Sequence, residues 1–144
     1  MRISEKGIYV GTGVRVLESE KIDIGVRTVI SDCVTLDGRG GIKIGTGCII
    51  SRGVKILTAS HDYKSSNFEL ILKSVEIGDQ VWLAEDCKIM PGTRIGNRCV
   101  VGAGVILAEN LADDEVVTIN KRFKKLKEDV MDKNTGFKLI GFKF

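Results

Sequence analysis

Between Ile77 and Leu107 an aliphatic residue returns at every sixth position: Ile77, Leu83, Ile89, Ile95, Val101 and Leu107. A second series, Val81, Cys87, Thr93, Cys99, Val105 and Leu111, falls four residues after each of them. The two series interleave at i−2 and i, the alternation of a strand with one buried face. Turn formers such as Gly78-Asp79 and Gly96-Asn97-Arg98 fall between them. No helix has this period. A sustained six-residue repeat predicts an all-β chain wound as a parallel β-helix, each hexad supplying one short strand and one corner. Three hexads then make one triangular coil of about 18 residues.

The same phrase recurs upstream. Ile22-Asp23-Ile24-Gly25 opens one coil with hexads at Ile24, Ile30 and Leu36, and Ile42-Lys43-Ile44-Gly45 opens the next with hexads at Ile44, Ile50 and Ile56. The second opening comes two residues late, which places a small insertion at the corner Asp37-Gly38-Arg39-Gly40-Gly41. Val10 to Val16 begin the repeat imperfectly, and Glu20 occupies an inward-type slot, as expected of a terminal coil with one open rim. The repeat stops after Ser60-His61 and restarts at Val75-Glu76-Ile77-Gly78, which predicts a loop over residues 62–74. Phe68, Leu70 and Leu72 are too apolar for a free loop and are expected to pack on a coil face or on a neighbouring subunit. About five coils over residues 8–118 are predicted within one domain, 1–144, closed by residues 119–144. In that tail Phe123, Leu126 and Val130 have helical spacing, so a short amphipathic helix is expected over residues 120–133, capping the open end. Phe137, Leu139, Phe142 and Phe144 suggest a final short strand.

Charge divides the chain. Residues 1–118 carry 14 basic and 16 acidic side chains, net −2, whereas residues 119–144 carry 8 basic and 3 acidic, net +5. Such a basic end suits either an anionic ligand or a solvated tail. Nucleic-acid binding is not expected, because the tail lacks interleaved aromatic platforms beyond Phe123. No apolar run approaches the ~18 residues needed to span a bilayer, and Met1-Arg2 leads into no apolar signal core. Membrane insertion and secretion are therefore not expected. The four cysteines do not read as a disulfide framework: Cys48 and Cys99 share a face, but with the Val81 coil between them they stand about 10 Å apart. Reduced thiols in a cytoplasmic protein are the expectation.

His61 is the single histidine, at an outward slot directly before the loop. An imidazole there suits a general base at neutral pH, and spacing alone leaves it equally an ordinary surface histidine. The surrounding words carry more. Leu57-Thr58-Ala59-Ser60-His61-Asp62-Tyr63, followed by Val75-Glu76-Ile77-Gly78-Asp79-Gln80-Val81-Trp82-Leu83-Ala84-Glu85-Asp86-Cys87, resembles the hexapeptide-repeat acyltransferases. The similarity is to the maltose and galactoside O-acetyltransferases and, closer still, to the colanic-acid-type acetyltransferase group, from about Ile22 to Leu107.

That resemblance implies a left-handed helix of coils and a homotrimer with active sites between subunits. It implies an acetyl-CoA-dependent O-acetyltransferase without a metal, in which His61 deprotonates a sugar hydroxyl or amine that attacks the thioester directly. The acceptor would be a sugar or nucleotide sugar, in surface-polysaccharide synthesis. Trp82 matches a tryptophan beside the acyl and acceptor pocket. Ala84, Gly102, Ala103 and Gly104 match small positions along the pantetheine arm. Asp32 and Asp37 lie near positions that contact the acceptor. The chain departs from the pattern where Glu109 stands in place of a lysine, and Lys121 and Arg122 are the candidates to supply that charge to the cofactor. The departure also motivates a non-enzymatic alternative, a β-helix scaffold that has lost CoA binding. A trimeric β-helix carbonic anhydrase is disfavoured, because it needs three metal histidines per site. An ice-binding face would need outward threonine ladders, which the repeat lacks.

Overall fold

The computed structural model describes residues 2–3 and 7–125. Short strands recur around three faces. Face A stacks Arg2–Ile3, Ile22–Ile24, Ile42–Ile44, Val75–Ile77 and Arg94–Ile95, and face C stacks Arg15–Leu17, Thr35–Asp37, Lys55–Ile56, Lys88–Ile89 and Ile106–Leu107. Face B runs from Tyr9–Val10 through Val29–Ile30, Ile49–Ile50, Trp82–Leu83 and Val100–Val101 to Glu115–Val117. Pairing along each of these stacks is parallel and in register, Ile24 on Ile44, Ile44 on Ile77, Ile77 on Ile95. This is the three-sided parallel β-helix that the six-residue period predicts.

Each hexad buries its aliphatic residue on the axis. Ile30, Ile50, Leu83 and Val101 are fully buried on face B, Leu36, Ile56 and Ile89 on face C. The interleaved series lines the same core at the corners: Cys48, Val81 and Cys99 stack in three successive coils. Burying one such Ile or Leu contributes about 1.5–3 kcal/mol, and the stack repeats that gain in every hexad. The Ile-Gly phrase has a steric cause. Gly25, Gly45, Gly78 and Gly96 stand directly over one another, and a Cβ on Gly25 would come 2.6 Å from the Gly45 carbonyl carbon. The polar corner residues bond between coils: Asp79 accepts from the Thr46 N–H, Asn97 from Asp79 and Asp113 from Asn97, each at 2.7–2.8 Å. Backbone donors left over at the corners are thereby satisfied.

The late second opening is a 3₁₀ turn at Gly38–Gly40, and the preceding coil carries another at Ser19–Lys21, so Glu20 lies in a turn and is exposed. The tail departs from expectation where it can be seen. Arg122–Lys124 forms a strand antiparallel to Glu115–Val117, in place of the first turn of a helix. The reversal closes face B with a hydrogen-bonded edge. Residues 126–144, which include the rest of the expected helix and the final strand, lie outside the described residues.

The outward rows of the three faces differ sharply. Face A presents Asp23, Lys43, Glu76 and Arg94, and face C presents Arg15, Thr35, Lys55 and Lys88 and ends on the exposed Ile106. Face B presents Tyr9, Val29, Ile49, Trp82, Val100 and Val116, without a charge. Val100 and Val116 are covered within the chain, whereas Tyr9 is 60% and Ile49 49% exposed.

Candidate functional site

The break in the repeat is a β-hairpin. Ala59–His61 pairs antiparallel with Leu70–Leu72, with His61 opposite Leu70. The arm is rooted at the corner between faces C and A by Thr58, which is fully buried. Its hydroxyl donates to the Asp37 carbonyl at 2.6 Å and accepts from the Gly40 N–H at 2.7 Å, while its own carbonyl accepts from the Lys73 N–H. The expected outward slot of His61 is thus a strand position on a projecting arm. Phe68, Leu70 and Leu72 are exposed, so they do not pack on a coil face of their own chain.

The tip is tightly bonded. Asp62 accepts from the Lys64 N–H and donates its own N–H to Glu69, and Phe68 donates to the Ser65 carbonyl. The chain then reverses through Phe68 with φ of 51°. That turn brings the Phe68 carbonyl oxygen to 2.7 Å from Nδ1 of His61. A carbonyl only accepts, so Nδ1 carries the hydrogen, and in the neutral ring the Nε2 lone pair is left free. The arrangement leaves Nε2 without a partner among the described residues, on a short, anchored and exposed arm.

Trp82 is half-buried on the outward row of face B, its Nε1–H donating to Ser51 Oγ of the coil above at 3.1 Å. The hairpin edge lies across the prism from that face. Ala84 and Gly102 stack at the corner between faces B and C, the Ala84 N–H donating to Val101 and the Gly104 N–H to Glu85. Ala103 and Gly104 are exposed beside them, and Gly104 takes φ of 70°. The same edge continues into Thr118, whose N–H donates to the Lys121 carbonyl, and Lys121 is exposed. Ala84, Gly102, Ala103, Gly104 and Lys121 therefore line one edge of the prism with Trp82 on the adjoining face.

Other expected site residues have partners inside the fold. Asp32 accepts from the Thr12 N–H across coils at 2.8 Å. Asp37 is buried and grips Arg39 through both oxygens at 2.8–2.9 Å; that guanidinium holds its carboxyl below the usual carboxylate range. Asp37 thus shapes the corner under the hairpin. Arg122 lies 3.0 Å from Glu109 and 2.6 Å from Glu115, and the pairing with Arg122 lowers the Glu115 pKa. Glu109, in the place of an expected lysine, is thus one of two carboxylates paired with Arg122.

Side-chain patterns did not reveal three partners. The Phe68 carbonyl is a backbone group, invisible in residue type. Ser51 could have been found by stacking the hexads, since its neighbour Ile50 sits in register with Leu83. Thr58 reads as part of the histidine phrase, with no sign that its hydroxyl roots the arm. A shallow depression of about 350 Å³ on face A, lined by Lys43, Glu76, Arg94 and Asp113, contains none of the expected catalytic, cofactor or acceptor residues. Among the described residues no helix is long and apolar enough to cross a membrane.

Comparison with known proteins agrees with the repeat. The profile of the bacterial transferase hexapeptide family (six repeats) matches residues 74–109. WcaF of Escherichia coli, provisionally named as a colanic acid biosynthesis acetyltransferase, is 34% identical over 98 residues, 68% of this chain and 54% of its own length. The chain thus spans about half the length of the curated relatives it matches. A hexapeptide-repeat-containing acetyltransferase of Vibrio cholerae superposes with a TM-score of 0.65 at 30% identity, covering 76% of this chain and 67% of that one. Its complex with acetyl coenzyme A gives 0.76 at 28% identity, over 82% and 66%. A maltose O-acetyltransferase of Clostridium difficile gives 0.80 at 26% identity, over 85% and 68%. The repeat, the three-sided stack and these likenesses share one fold, the left-handed β-helix, and on them the chain belongs to the hexapeptide-repeat acyltransferases.

Proposed function

We propose that the protein transfers an acetyl group from acetyl-CoA to a sugar hydroxyl, or a sugar amine, with His61 as general base. The observation that carries this reading is the imidazole clamped at Nδ1, with Nε2 free at the end of a rooted arm. Nε2 takes the proton from the acceptor as its oxygen forms a bond to the thioester carbonyl carbon. The tetrahedral adduct collapses, the carbon–sulfur bond breaks, and the thiolate leaves with the proton returned from the imidazolium. An alcohol attacks a thioester poorly unless its proton is removed in the transition state, and such base catalysis contributes about 10²- to 10⁴-fold. The edge of Ala84, Gly102, Ala103 and Gly104 offers a slender cofactor arm close approach to backbone, with Lys121 beyond it for phosphate. Relatives named as acetyltransferases, one of them solved with acetyl coenzyme A, support the cofactor and the group transferred. The WcaF likeness supports a surface polysaccharide as the destination of the product.

The working unit in this reading is a homotrimer. Its support is the uncharged outer row of face B, exposed at Tyr9 and Ile49, and an apolar arm that finds no seat on its own chain. One observation favours a second reading, a β-helix scaffold without cofactor: Arg122, a candidate phosphate ligand, is already paired with two carboxylates. Calorimetric titration with acetyl-CoA, followed by thiol release across nucleotide sugars and simple glycosides, decides between them. Saturable binding and acceptor-dependent thiol release support the transferase. No heat of binding at millimolar acetyl-CoA supports the scaffold.

A further inference from the structure

Of the eight non-glycine residues with positive φ among the described residues, Phe68 is the single aromatic one. The others sit at corners of the coils or in their turns, where a left-handed residue turns the chain. A bulky side chain is disfavoured in that region, and such conformations persist only where the surroundings over-determine them. Packing of the ring does not hold Phe68 there, since it is 62% exposed. What fixes the residue is backbone bonding on both sides. Its N–H donates to Ser65, the next N–H reaches Ser65 Oγ at 3.3 Å, and its carbonyl receives the His61 Nδ1–H. An extended Phe68 would turn that carbonyl away from the ring.

We propose that Phe68 is a positioning residue: its left-handed backbone aims the carbonyl that locks His61 in the Nδ1–H tautomer and turns Nε2 outward. The tautomer follows from the geometry of this chain alone; its consequence for turnover rests on the acetyl-transfer reading above. The lock works through the backbone, so for the tautomer the identity of the side chain matters only through the φ it tolerates. Asn tolerates the left-handed region, whereas a β-branched residue there is a steric outlier. Phe68→Asn and Phe68→Val both remove the aromatic ring, which separates loss of the ring from loss of the turn.

His61 is the sole histidine, so protein labelled with ¹⁵N-histidine gives one set of ring resonances with no assignment needed. The wild-type protein, without substrate and above the imidazole titration, is expected to show a protonated Nδ1 and an unprotonated, pyridine-like Nε2. Phe68→Asn keeps that spectrum, and any loss of kcat it shows measures the ring's contact with a neighbouring subunit. Phe68→Val averages the two nitrogen shifts and lowers kcat about 10- to 100-fold below Phe68→Asn, the scale of a misplaced reacting group. An Nε2–H or averaged spectrum in the wild-type protein overturns the proposal, whatever the variants do. Matching spectra and matching kcat for the Asn and Val variants overturn it too. A locked tautomer in a protein that releases no thiol from acetyl-CoA would leave the lock standing and remove the transfer reaction.

Discussion

Replacing Thr58 by Val tests how the arm is attached to the prism. The two side chains have nearly the same shape, so the change removes the hydroxyl and little else. In the fully buried site that hydroxyl joins the Asp37 carbonyl and the Gly40 N–H, at 2.6 and 2.7 Å. Each buried backbone group left without a partner costs about 1–3 kcal/mol, and Gly40 is only partly buried, so the substitution is expected to destabilise the fold by about 2–4 kcal/mol. Thr58→Ser keeps the hydroxyl and loses one methyl, worth about 1 kcal/mol. Urea unfolding followed by Trp82 fluorescence measures both. It must be run at one fixed protein concentration, because association would link stability to concentration. A Val variant within about 0.5 kcal/mol of wild type would refute the assignment, as would a Ser variant as unstable as the Val variant.

Three further outcomes follow from the same coordinates. Gly45→Ala places a Cβ 2.5 Å from the Gly78 carbonyl oxygen of the next coil and should cost about 3 kcal/mol or more, whereas Gly47→Asn, at φ of 67° with the Gln80 side chain 3.7 Å from the added Cβ, should cost under about 1 kcal/mol; thermal melts compare them. Alkylation at pH 8 read by mass spectrometry should add one group per native chain, on exposed Cys33, and four after denaturation, because Cys48, Cys87 and Cys99 are buried and burial pushes the Cys87 thiol up to about 12. Ile49→Glu, on the outward row of face B, should convert a trimer to folded monomers by light scattering; an unchanged mass would remove face B from the subunit contact.

Most of the fold was legible because its cause is local and repeated. The period of six follows from one inward residue per short strand. The Ile-Gly phrase marks the place where a coil above leaves no room for a Cβ. The two-residue shift at Asp37-Gly38-Arg39-Gly40-Gly41 located the extra turn because every later hexad moves with it. The hairpin was seen only as an interruption, since its antiparallel pairing of Ala59–His61 with Leu70–Leu72 has no hexad to betray it. Arg122–Lys124 looked helical because Phe123 keeps helical spacing with Leu126 and Val130, while the edge of Glu115–Val117 offered a competing set of backbone bonds. In the site, His61 and Trp82 stood out by residue type. Asp37 read as an acceptor contact because it lies near the positions that make one in the family resembled; its burial and its grip on Arg39 are not shown by spacing. The Phe68 carbonyl lay beyond reach, being a consequence of one φ angle.

In the proposed reaction a rooted arm holds a single imidazole as the base for acetyl transfer. Its most direct test compares His61→Asn with wild type in two measurements on the same preparations: acetyl-CoA affinity by calorimetry and kcat by thiol release with an acceptor. On its own chain the arm stands apart from the proposed cofactor edge, so affinity should stay within about threefold while kcat falls by about 10²- to 10⁴-fold. A kcat within threefold of wild type, measured with the same acceptor, would contradict the account.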